Sequence, residues 1–133
     1  MAAQLIETGA HTTIDAMILL DMVGDTDLHI TIPGNSTPSL VKEVLDAAHK
    51  TGHRDYISVA RHSNIIDDHV PFLKIGIPAI NLIDFKYGSE PGLNDLWHTP
   101  EDTLQNISAE SLQISGQIAL QVVIQLAFEG NTN

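Results

Sequence analysis

Residues 66–99 read IDDHVPFLKIGIPAINLIDFKYGSEPGLNDLWHT, and their reading decides the fold. Two adjacent carboxylates and a histidine, Asp67, Asp68 and His69, come first. A short apolar helix follows, with Pro71 in its first turn and Gly76 as its stop. Residues 77–83 (IPAINLI) are then almost continuously apolar, the pattern of a strand buried on both faces. After a loop rich in Gly, Pro and Asn, the stretch closes on Trp97, His98 and Thr99. Acids and imidazoles thus stand at both ends of a core strand, the arrangement by which α/β proteins bring polar groups to a ligand.

Working outward, residues 56–60 predict a short strand and residues 28–32 (LHITI) an alternating one. The turn Asp25-Thr26-Asp27 makes the latter a hairpin-like edge. Residues 14–23 (IDAMILLDMV) form a nearly unbroken apolar run and predict a central parallel strand, with Asp21 at its C-terminal end. A carboxylate there is costly to bury unless paired, hydrogen-bonded or metal-bound, and a side chain turned to water satisfies the pattern equally well. Residues 38–51 predict a helix capped by Ser36 or Thr37, burying Leu40, Val41, Val44, Leu45 and Ala48 and ended by Gly52. Residues 2–8 read as the end of a helix stopped by Gly9, and residues 99–102 as a helix start. Residues 109–128 form the last helix, with Gln113, Gln117, Gln121 and Gln125 as one slowly drifting polar stripe. Strands alternating with helices imply an α/β fold: three layers, a mainly parallel sheet flanked by helices, and one domain over residues 1–133.

The composition excludes several functions. With 17 acidic against 6 basic side chains and a net charge of -11, nothing here would displace counterions from nucleic acid. The absence of cysteine rules out thiolate zinc sites and disulfides, so any metal must be held by His and carboxylate. Residues 1–10 lack a basic n-region, and no uninterrupted apolar run reaches the ~18 residues of a membrane span. No membrane partner is expected. His49 and His53, four apart but separated by Gly52, read as solvated surface.

Asp21, the Asp67-Asp68-His69 group and Trp97-His98 could meet at the loop end of such a sheet. Neighbouring carboxylates cannot both ionise cheaply, so one can hold a proton and act as an acid or a hydrogen-bond clamp. A histidine beside carboxylates suits Zn²⁺, while a helix N-cap at Asp67-Asp68 and a structural His98 fit the same residues.

In order and approximate spacing, LLDMVGD (residues 19–25), DDHVPFL (67–73), GIPAINLIDF (76–85) and WHTPEDT (97–103) resemble the C-terminal half of the M28 clan of zinc aminopeptidases and glutaminyl cyclases, most closely the bacterial glutaminyl-peptide cyclotransferase-like branch. The resemblance implies that His98 is a zinc ligand and that Trp97 forms a wall of the glutamine pocket. Asp21 matches a position that is a zinc ligand in two-metal aminopeptidases and a catalytic aspartate in one-metal cyclases. Asp67 matches the second aspartate of the cyclase proton network. Asp68 and His69 match the shared Asp-His pair that supports the site from behind, and Phe85 or Tyr87 borders the substrate pocket. The implied activity is conversion of N-terminal Gln to pyroglutamate, the alternatives being a zinc aminopeptidase and a non-catalytic interaction domain. The implied substrate is a peptide N-terminus, and members of the family are often secreted or periplasmic. The Glu-Glu pair and the further zinc carboxylate of the family precede the LLDMVGD strand, and no Glu-Glu pair occurs here. The chain is therefore expected to be an incomplete enzyme, inactive alone, that self-associates or pairs with the segment carrying those ligands.

Overall fold

The computed structural model describes residues 2–129. Its strands are β1 (Met17–Asp21), β2 (Ile30–Pro33), β3 (Ile57–Ala60) and β4 (Ala79–Ile83), and its helices α1 (Ala2–Thr8), α2 (Pro38–Lys50), α3 (Val70–Lys74) and α4 (Ala109–Ile124). The sheet order is β1-β4-β2-β3. β1 runs parallel to β4 and β2 parallel to β3, while β2 meets β4 antiparallel at Thr31 and Ile83. The fold is mixed α/β, with a sheet flanked by helices.

Two sequence expectations fail for one reason. β4, buried at all five positions, inserts between β1 and β2. β2 is therefore an interior strand rather than a hairpin edge, and β1 is an edge of this sheet rather than its centre. β1 is also shorter than the apolar run and only half covered, Leu20 being 40% exposed.

The pleat divides the sheet into unlike faces. Ile30, Ile32, Ile57, Ile80 and Leu82 point to one side, where Leu40, Val44, Ala47 and Ala48 of α2 and Ile114, Ile118 and Val122 of α4 close a core. Fully burying each large side chain there contributes about 1.5–3 kcal/mol. Asp21, Asn81, Thr31 and Ser58 point to the other face, which receives the turn at Asp67 and then α3.

The ends of the elements tie the layers together. Thr37 precedes α2 but makes no side-chain cap. Its hydroxyl instead accepts the N–H of Ala79 at 2.9 Å, fixing the helix to the start of β4. Asp84, fully buried just after β4, accepts from His29 N–H at 2.7 Å and Lys86 N–H at 2.9 Å. Burial raises its carboxyl above the usual range, against the pull of those two donors. Gly9, Gly52 and Gly76 stop their helices at positive φ. Ser108 caps α4 through Ser111 N–H at 3.2 Å.

The glutamine stripe drifts as its spacing requires. Gln113 and Gln117 are exposed, whereas Gln125, at the π-turn Gln125–Glu129, is buried and donates to the carbonyl and carboxylate of Glu43. Residues Ala109–Phe128 are long and apolar enough to cross a membrane by length and composition alone. The burial of Ile114, Ile118 and Val122 against α2 and the sheet gives this helix a core-packing role. Residues 99–102 form no helix; Leu104–Asn106 makes a single 3₁₀ turn. Thr99 turns back to Leu96, so its hydroxyl caps nothing downstream.

Candidate active site

Parallel register sets Asp21 beside Ile83 and Leu19 beside Asn81, so Asp21 and Asn81 share the polar face at the C-terminal ends of β1 and β4. The segment before α3 brings Asp67 over this face. Asn81, fully buried, donates its amide to Asp67 Oδ2 at 2.7 Å, and the Asp68 backbone N–H donates to Asp67 Oδ1 at 2.7 Å. Asp67 thereby accepts two bonds from neutral donors, and it lies close enough to Asp21 for its charge to act there. Burial, then the charge of Asp67 and the hydrogen bond to it, push Asp21 above the ordinary carboxylate range, only partly offset by the Met22 N–H.

The long loop after β4 closes the site from the other side. Asp21, Asp67, Phe85, Trp97 and His98 line one cavity of about 260 Å³, together with Met22, Ile65, Ile66 and Ile83. Trp97 and His98 stack at its mouth, ring centroids 4.2 Å apart and planes 25° from parallel. Trp97 is 48% and Phe85 38% exposed, so both offer apolar surface to a ligand. His98 holds a left-handed backbone, φ 58°, at the third position of the turn closed by Thr99 N–H on the Leu96 carbonyl.

Asp68 is exposed and reaches the site through its backbone. His69 is fully buried behind Asp67, with neither ring nitrogen hydrogen-bonded among the described residues. Desolvation lowers its pKa, and the charge of Asp67 opposes this. His29 and the His49/His53 pair lie outside the cavity, and His53 is engaged by Gln117 at 2.6 Å.

The sequence reading missed Asn81. The available signal was a lone amide in a run of seven otherwise apolar residues, which demands a buried partner. It also left Tyr87 as a possible pocket border, and the structure instead buries it away from the cavity with its hydroxyl on Asp102.

Peptidase family M28 matches residues 2–123. The chain belongs to this family. It is 42% identical to the glutaminyl cyclase of an Acidobacteriales bacterium, superposing with a TM-score of 0.82 over 92% of this chain and 42% of that one. It is 28% identical to BSAP, a zinc aminopeptidase from Bacillus subtilis, with a TM-score of 0.69 over 87% of this chain and 29% of that one. Among curated proteins it is 28% identical over 106 residues to the glutaminyl-peptide cyclotransferase of Dictyostelium discoideum, covering 73% of this chain and 28% of that protein. The M28 chain therefore spans under half the length of these relatives.

Zinc is the metal such relatives imply. Asp21 and His98 have the right donor chemistry and line one cavity, but a catalytic zinc takes three protein ligands. No group of three or more His, Cys, Asp or Glu suited to a metal occurs among the described residues. These residues alone do not fit a self-sufficient zinc site.

Proposed function

We propose that this chain forms one wall of the active site of a zinc-dependent glutaminyl-peptide cyclotransferase. The observation that carries the reading is that Asp21 and Asp67 line a single cavity with the stacked Trp97 and His98. Likeness to the Acidobacteriales cyclase supports it. In the reaction the α-amine of an N-terminal glutamine attacks its own side-chain amide carbon, the carbon–nitrogen bond to the amide breaks, and ammonia leaves with a proton taken from the amine. Trp97 and Phe85 would hold the glutaminyl side chain in the folded shape that places amine against amide. Asp67 would accept a hydrogen bond from the amine, while Asp21, raised above the ordinary carboxylate range by burial and by Asp67, would steady charge as ammonia departs. His98, with Asp21 as a second donor, would supply this wall's share of the metal site, and Asp68 and His69 would support Asp67 from behind.

A zinc aminopeptidase is the second reading, favoured by the likeness to BSAP and by Asp21 and His98 flanking the same cavity. Assaying the enzyme completed by the segment supplying the remaining ligands, on glutaminyl peptides and on amino-acid anilides, separates the two. Pyroglutamate and ammonia are expected; release of free amino acids without pyroglutamate would make it an aminopeptidase. This chain alone is expected to show no turnover and only weak zinc binding. Its open β1 edge, with Leu20 exposed, is the proposed surface for pairing with a second copy or with the segment supplying the remaining ligands. Sedimentation as a clean monomer would count against self-pairing.

A further inference from the structure

Between Ile83 and Ala109 the chain makes no strand and no α-helix, yet it delivers Phe85, Trp97 and His98 to the cavity. A loop of this length holds side chains in place only if it is fastened internally, and it is fastened twice. In the inner clasp Asp95 accepts the Ser89 N–H at 2.8 Å and the Ser89 hydroxyl at 2.7 Å. Gly88 packs so closely against this clasp that a Cβ would stand 2.6 Å from Asp95 Oδ1 and 2.8 Å from the Leu93 carbonyl oxygen. In the outer clasp Tyr87, only 5% exposed, donates its phenol hydrogen to Asp102 Oδ1 at 2.6 Å.

The outer clasp brackets the histidine. Asp102 follows His98 by four residues, and the chain between Leu96 and Asp102 makes two consecutive turns. Thr99 bonds the Leu96 carbonyl through its N–H at 3.1 Å and its hydroxyl at 2.7 Å, and Asp102 N–H bonds the Thr99 carbonyl at 3.2 Å. Leu96 anchors the near end by burial, and Tyr87 holds the far end. His98 is the third residue of the first of these turns, where a left-handed backbone, φ 58°, is what the turn requires, so closure of the turn fixes the direction of the imidazole.

We propose that Tyr87 is a positioning residue for His98: its hydrogen bond to Asp102 holds the 96–102 double turn closed and so keeps the imidazole at the cavity mouth. The bond to Asp102 and burial push the phenol up to about 12, so the donor keeps its hydrogen throughout the neutral range. The inference rests on the proposed active site only for its kinetic consequence.

The test uses Tyr87→Phe, Asp102→Ala and Asp102→Asn in this chain, read by NMR. The reporters are the His98 imidazole protons, shielded by the stacked Trp97 ring, and amide exchange over residues 96–102. Tyr87→Phe and Asp102→Ala should move the His98 protons toward unstacked values and speed exchange about tenfold or more, since each deletes the same bond. Asp102→Asn keeps an oxygen that can accept the phenol and should stay near wild type. In the completed enzyme proposed above the first two variants should lower kcat by about 10–100-fold, with a smaller change in KM. Unchanged His98 resonances and exchange in Tyr87→Phe would overturn the proposal, as would equal losses in Asp102→Asn and Asp102→Ala. Should Tyr87→Phe not fold, the two Asp102 variants decide. A completed enzyme without turnover would remove the cyclase reading and leave the NMR result standing.

Discussion

The two faces of the sheet are built from alternate residues of the same strands and do opposite work. Ile80 and Leu82 look into an apolar core under α2 and α4, whereas Asn81, between them, looks into the cavity side and holds Asp67. One peptide unit thus separates a residue that stabilises the fold from one that arranges the site. Stability and chemistry can therefore be altered independently at adjacent positions.

The largest effect should come from the apolar face. Leu82→Ala is expected to lose about 2–5 kcal/mol in chemical denaturation, through lost burial and the cavity left behind. Asn81→Leu, one residue away, should lose only about 1 kcal/mol, because half-exposed Asp67 can take water in place of the amide. In the enzyme proposed above the same variant should reduce kcat by tenfold or more. A stability loss as large as that of Leu82→Ala would break the division between the faces.

A pH titration sharpens the comparison. Burial holds the folded pKa of His69 below the ordinary histidine value of 6.5, so the unfolded chain binds a proton more readily. The stability this contributes is complete above pH 6.5 and is lost as pH falls toward the folded pKa. The slope from this single group is at most about 1.4 kcal/mol per pH unit. His69→Leu should flatten that acid limb; an unchanged limb would assign it elsewhere. Smallest of all should be Lys42→Ala, which removes an exposed pair with Asp46 at 3.2 Å and should change stability by no more than about 0.5 kcal/mol.

These unequal sites were also unequally legible in the sequence. Helices α1, α2 and α4 and the almost wholly apolar β4 announced themselves through periodicity, glycine stops and burial, because those signals are local. Asp21, Asp67 and His98 could be singled out because an acid ending an apolar run and a histidine beside tryptophan stand out by type, and the M28 resemblance ordered them. The order of strands could not be read: nothing local to residues 14–32 says that a segment almost fifty residues later will lie between them. The Tyr87–Asp102 bond was hidden for the same reason, and Asp102, sitting in a good helix-start motif, pointed to the wrong partner.

Because β1 hydrogen-bonds to a single neighbour, half of its peptide groups face outward with no partner in the sheet. Asp21 thus rides on an open border of the sheet, and its carboxyl is only as well aimed as that border is steady. Any molecule that completed the border, whether another copy or the rest of an M28 enzyme, would sharpen the aim of the acid without touching it.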